Sequence, residues 1–288
     1  MRRLGVLVLL AAAPLSAQNK VERGARIAGD ASIRITNSAG VTRVIGWDRD
    51  SIAATGSLPK GASFYFGGKG QVAKLGVERQ DETVAGPGAV LEVRVPRNAK
   101  VYIKSVSATI EASGLSGELE GTSVGGGIRV DAALKLLVAE SMEGNLDVRG
   151  RNEVTRLRGG SGTVTLSGAT GDLRVSSVGG PIAVTGGSIT RAHLETVSGA
   201  IGYDGVVGSR GTLEAVTHSG DVMLRLPTDI SAEFELESFD GVIDPGFLAK
   251  SAGPPASRKG RLVSFVTREG GSTILVRTFK GNIRVQKP

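Results

Sequence analysis

Between Val101 and Leu224 apolar and polar residues alternate in short runs, and the runs return at a nearly fixed interval. With Ile182 as reference, the same slot is held by Ile110, Ile128, Leu146 and Val164 before it and by Ile201 and Val222 after it. Steps between the first five of these are 18 residues; the later two are 19 and 21. Repetition at one short period marks a solenoid, in which each coil buries its apolar face only against the next.

The columns describe one coil. A glycine stands two positions before the reference (Gly126, Gly144, Gly162, Gly180, Gly199, Gly220), and an apolar residue two after it (Val130, Val148, Leu166, Val184, Tyr203, Leu224). Leu119, Leu137, Leu173 and Leu213 recur nine positions before it, and Val106, Val124, Met142, Val178 and Val197 four before it. Alternation of this kind is the period of a strand with one buried face. Counting the valine column as core requires the inside–outside parity to flip next to the column of Ser105, Ser123, Ser141, Ser177, Thr196 and Thr217. The neighbouring glycines would supply a corner or bulge there. Each coil is then two short strands, and successive coils stack in parallel into a rod of roughly 50 Å at ~4.8 Å per strand. The apolar offsets do not repeat every six residues, which disfavours a left-handed hexapeptide helix. Parallel crossovers favour right-handed winding. The expected fold is all-β: a single-stranded right-handed parallel β-helix with about 18 residues per coil.

Outside the regular stretch the pattern loosens. Residues 1–17 read as a signal peptide: Arg2 and Arg3, an apolar run from Leu4 to Ala13, and small residues before a cleavage site after Ala17. That run is too short to span a bilayer, and no later segment reaches spanning length, so the expected mature chain is exported and has no transmembrane segment. Residues 18–100 are expected to hold N-terminal strands and a cap. Ser32–Val41 and Val44–Trp47 form strands, Ser63–Val72 repeats their spacing, and Asp48–Lys60 and Glu78–Gly88 are loops or cap that shield a strand edge. Trp47 is assigned to packing within the cap. Residues 101–288 form the coils; Val242 is the reference of a late coil with Asp240 in the glycine slot, and a basic loop insertion occupies 249–260.

The chain resembles a known family of bacterial adhesin domains of unassigned function, β-solenoids similar to the head-GIN domains of autotransporter adhesins. Residues carrying the resemblance are Ile33-x-Ile35, Gly40-Val41, Val44-Ile-Gly-Trp-Asp48, Leu91-x-Val-x-Val-Pro96 and coils such as Ser177–Val184. These are scaffold motifs. The resemblance implies surface attachment and carries over no catalytic or binding residue.

Composition agrees with a thin stacked core: 40% hydrophobic but only 4% aromatic, with 43 glycines. The absence of cysteine excludes a disulfide framework and thiolate-ligated metal. The formal charge of +7 includes Arg2 and Arg3, and the outward columns mix signs: Glu111, Arg129, Asp147 in one, and Lys104, Glu140, Arg158, Glu195 in another. Ladders of this kind are expected to pair across coils. Without an aromatic-plus-basic stripe, nucleic acid is disfavoured as a partner. The partner classes left are cell-surface polysaccharide and envelope protein.

No catalytic, cofactor-binding or metal-ligating residue emerges. Gly121-Thr-Ser-Val-Gly125 has the spacing of a nucleophile elbow, but Ser123 belongs to the hydroxyl column. The glycine runs Gly67–Gly70 and Gly159–Gly162 lack the Lys-Ser/Thr tail of a phosphate loop. His193 and His218 occupy different columns, which is a poor start for a metal site. Asn145 and Asn282 sit at turn-like positions and suit backbone hydrogen bonding. The rival enzymatic reading, a polysaccharide lyase or hydrolase, would need carboxylates aligned across coils. Asp204, Asp221, Asp240 and Asp244 are the only cluster to consider, and their offsets scatter them between faces and turns. The expected role is non-catalytic, adhesin-like binding at the cell envelope, in the periplasm, at the surface or outside the cell.

Overall fold

The computed structural model describes residues 19–79, 88–246 and 261–288. The signal-peptide reading and the 249–260 insertion lie outside the described residues. Those described contain strands and no helix, joined in one sheet of 22 mostly parallel strands. The chain is all-β and solenoid-like.

Two stacks of strands run side by side along the molecule. The first stack contains Glu118–Ser123, Leu136–Ser141, Val154–Gly159 and Thr170–Ser177; the second contains Ile128–Asp131, Leu146–Arg149 and Val164–Ser167. Register follows the repeat: Leu119 faces Leu137, Ile128 faces Leu146, and Ile182 lies between Val164 and Ile201. The reference column and the column two after it point inward in the second stack; Leu137, Ala139, Leu173 and Val175 point inward in the first. The core is therefore a slab of aliphatic side chains. Each is worth ~1.5–3 kcal/mol when fully buried.

Glycine closes the corner between the stacks for a steric reason. A Cβ at Gly144, Gly162, Gly180, Gly199 or Gly220 would overlap the backbone carbonyl of the glycine one coil back. The corner thus lets adjacent coils approach at strand spacing only without side chains.

The parity flip does not occur. Strand alternation continues through the hydroxyl column, so Ser123, Ser141, Ser177, Thr196 and Thr217 are buried, while Val106, Val124, Met142, Val178 and Val197 are exposed. Burial of the hydroxyls is tolerated because each is bonded. Ser141 Oγ accepts from the Gly144 N–H and donates to the Gly126 carbonyl of the neighbouring coil, both at 3.0 Å. Thr278 repeats the arrangement with Gly281 N–H (2.9 Å) and the Gly220 carbonyl (3.2 Å).

Two registers near the ends also differ from the sequence reading. Ile243, and not Val242, is the buried partner of Ile283, so Gly241 fills the glycine slot and Asp240 precedes it. Likewise Val72 is exposed while Ala73, Leu75 and Val77 enter the core. The segment assigned to a cap loop contains the strand Ser51–Leu58, which lies antiparallel to Asn19–Asn37 and Ala89–Pro96.

Coil order departs from chain order at both ends. Ser32–Thr36 lies between Val72–Gly76 and Lys100–Lys104, so the first coil sits inside the second. Ser272–Thr278 lies between Thr212–Thr217 and Ala232–Ser238, so the last coil sits inside the one before it. Arg261–Thr267 pairs antiparallel with Ala232–Ser238 and closes that side of the first stack. An antiparallel strand satisfies the exposed edge without offering a continuing parallel template.

Candidate binding surface

Strand periodicity sends every second side chain outward, so each stack presents an outer face with side chains at fixed spacing. On the second-stack face the charges are largely spent on one another. Arg43 pairs with Glu111 at 2.8 Å, Arg129 with Asp147 at 3.5 Å, Arg225 with Asp204 at 3.8 Å and Arg284 with Asp244 at 3.7 Å. These exposed pairs contribute little stability each, but they leave the face near neutral.

The first-stack face is less even. Lys100 pairs with Glu118 at 3.0 Å, a hydrogen bond that raises the ammonium above its ordinary value, and Arg277 holds Glu235 at 2.9 Å and Glu237 at 3.4 Å. Between these lies an open groove of ≈ 590 Å³ lined by Arg156, Arg158, Arg174, Arg191, His193 and Glu195 among others. The expected pairing along Lys104, Glu140, Arg158 and Glu195 is not made: Arg158 faces Glu140 in register without an ion pair, and Glu195 contacts His193 within its own strand.

At the corner, the exposed column of Val106, Val124, Met142, Val178 and Val197 continues into His218, Phe279 and Phe239. The three rings stack, with centroids 5.0 Å apart for His218–Phe279 and 4.8 Å for Phe239–Phe279. An apolar ridge therefore runs beside the glycine corner. A paired substitution distinguishes its two adjacent columns. Ser141→Ala takes the hydroxyl away from the half-buried Gly144 N–H and from the Gly126 carbonyl, and is expected to cost ~1–3 kcal/mol. Met142→Ser, one residue along and 52% exposed, is expected to stay within ~0.5 kcal/mol. Urea denaturation of both variants measures the difference, and a reversed order would contradict this register.

The other residues singled out by sequence have hydrogen-bond partners within the fold. Ser123 Oγ accepts from the Gly126 N–H at 2.9 Å. His193 Nδ1 lies 2.8 Å from Glu214 and Nε2 3.3 Å from Glu195, on the first-stack face, away from the corner position of His218. Trp47 Nε1–H donates to the Ser51 carbonyl at 2.8 Å, and Arg49 lies over its ring at 5.1 Å. Asn145 and Asn282 bond across coils, their carbonyls accepting from the Thr163 and Val242 N–H groups at 2.9 and 3.0 Å. Sequence reasoning missed the buried Asn152, whose carbonyl accepts from the Leu134 N–H at 2.8 Å. Its offset of 18 residues from Leu134 was a readable signal.

The acidic cluster needs a correction. Asp204, Asp221 and Asp244 belong to outward columns of the second stack and share one side of the molecule, contrary to the scatter inferred from their offsets. Each has a partner: Asp204 has Arg225, Asp244 has Arg284, and Asp221 accepts from the backbone N–H (2.7 Å) and side-chain amide (3.1 Å) of Asn282. Asp240 donates its backbone N–H to the Phe279 carbonyl at 2.8 Å.

Residues 59–286 match the sequence pattern of a family described as Toastrack DUF4097, which spans most of the chain. The chain belongs to the Toastrack DUF4097 family. No protein of curated function matches it. Two crystal structures are similar in outline. One is a candidate cell adhesion protein from Clostridium sporogenes, 8% identical, with a TM-score of 0.26, covering 94% of this chain and 100% of that one. The other is a candidate adhesin from Bacteroides fragilis, 12% identical, with a TM-score of 0.43, covering 94% of this Toastrack chain and 99% of its own.

Proposed function

We propose that this Toastrack protein is a non-catalytic, exported binding scaffold of the bacterial cell envelope, engaging its partner along the rod and not in a cleft. The observation that carries the reading is the pair of strand faces, on which outward side chains recur from coil to coil at strand spacing. That geometry suits an extended polymer or another protein's strand, because many weak contacts at fixed spacing add up along a repeat. The proposed winding is right-handed, with coils of about 18 residues. Export follows from the reading of residues 1–17, with cleavage after Ala17; N-terminal sequencing of the exported protein checks it.

The binding reading is tested by a glycan array and an envelope-fraction pull-down with residues 18–288. Retention of a defined surface polymer is the expected result, with no change in that polymer's length. Singly replacing Asp204, Asp221, Asp240 or Asp244 by Asn should leave binding within a few-fold. A lyase or hydrolase activity abolished by one of those substitutions would replace the scaffold reading with the enzymatic one.

A further inference from the structure

Charged residues that face each other in register are of opposite sign almost throughout the described strands. Examples are Arg43 with Glu92 and Glu111, Glu111 with Arg129, Arg129 with Asp147, Asp131 with Arg149, Asp172 with Arg191, and Glu237 with Arg277. Two pairs break the rule, and both are basic and on the first-stack face: Arg156 with Arg174, and Arg34 with Lys74. Lys74 also lies over the Tyr65 ring at 5.6 Å. Among the described residues Arg156 and Arg174 have no carboxylate partner, and neither has Arg158, two residues along the same strand as Arg156. Like charges directly opposite each other destabilise a sheet, so this spot opposes the fold that holds it.

We infer that the Arg156–Arg174 groove binds a carboxylate-bearing polysaccharide, an acidic glycan of the uronic-acid type. The inference rests on the scaffold reading above and names its ligand. Several features select this chemistry. Guanidinium groups match carboxylates as planar two-point donors, and neighbouring strands set Arg156 and Arg174 ~4.8 Å apart at the backbone, a spacing suited to successive sugar units. The groove is open, so a lone small anion would stay largely hydrated, whereas a polymer engages Arg156, Arg158 and Arg174 together, beside an Arg191 already held by Asp172 at 3.1 Å. Ser176 and Glu195 in its lining can bond sugar hydroxyls. Its lining has no Phe, Tyr or Trp ring on which a nucleobase could stack, and its one imidazole, His193, is held between Glu214 and Glu195. Glu118, Glu120 and Glu140 lie on one side and Glu214 on the other, limiting the favourable footprint to about three strands, ~10 Å across.

The experiment compares retention of polygalacturonate by wild type, by Arg156→Gln/Arg174→Gln, and by the control Arg43→Gln/Arg129→Gln, which removes the same charge from the paired face. Wild type and control should bind alike, and the groove variant about tenfold or more weakly, since two charge-assisted contacts are lost. The melting temperature of the groove variant should be unchanged or higher, because a repulsion is removed. Equal binding by all three proteins, an equal loss in the control, or a lower melting temperature of the groove variant overturns the inference. So does equal retention of uncharged dextran, or a preference for polyphosphate or anionic phosphatidylglycerol vesicles over polygalacturonate. If the groove variant still captures the envelope polymer held by wild type, only this inference falls. If wild type retains no polymer on the array or from the envelope fraction, the scaffold reading falls with it.

Discussion

Ile182→Asp is expected to unfold the middle of the rod, with a loss of about 4–5 kcal/mol or more. Ile182 is 1% exposed and lies between Val164 and Ile201, with Val184 beside it in the same strand. Removing its buried side chain forfeits ~1.5–3 kcal/mol, and the carboxylate that replaces it has no cation inside the slab. The group must either stay charged at a large desolvation cost or bind a proton, and both routes weaken the fold at neutral pH. Ala183→Asp makes the comparison informative. Ala183 points outward between Thr165 and Gly202, so a carboxylate there meets water and should change stability by no more than ~0.5 kcal/mol. Urea denaturation and limited proteolysis of the two variants report the contrast. Equal losses would mean that the inward and outward columns have been exchanged.

That contrast was legible from the sequence because the reference column repeats without interruption and the strand period assigns its neighbours. The corner was not. Val178 and Ser177 are adjacent, and apolarity alone assigns the valine to the core; the structure buries the serine because its hydroxyl bonds to the Gly160 carbonyl at 3.2 Å. A hydrophobic pattern cannot register that a hydroxyl with a carbonyl partner supplied is well placed inside. The continued alternation of Leu173, Val175 and Ser177 was the available clue, since it needs no bulge. The Arg156–Arg174 pair was likewise within reach, the two lying 18 residues apart, but it becomes unusual only once every other charged pairing is known. For a binding site made of surface residues, periodicity supplies positions, and only the register shows which charges remain unanswered.

The order of coils at the chain ends was beyond the period altogether. A repeat predicts that a coil packs on its sequence neighbour, and nothing in Ile283 or Val285 specifies Val222 and Leu224 as partners over the coil just before them. Insertion of the last coil has a large consequence. Ile274, Val276, Ile283 and Val285 are fully buried, and their strands join Thr212–Thr217 and Val222–Arg225 on one side to Ala232–Ser238 and Ile243–Asp244 on the other. Deleting residues 270–288 should therefore remove about 6–12 kcal/mol of apolar burial and leave two strand edges facing a gap. Hydrogen exchange should show protection lost across 212–244, well upstream of the cut, and not only in the final strands. A matched pair of point variants separates insertion from simple proximity to the end. Ile283→Asp strikes a residue covered by Val222 on one side and Ile243 on the other, whereas Ile243→Asp strikes one whose only register partner among the described strands is Ile283. The first should cost more than the second by ~2 kcal/mol or more, because its side chain has packed neighbours on both faces. Equal costs, or protection of 212–244 that survives the truncation, would place the last coil at the end of the stack and contradict the inserted order.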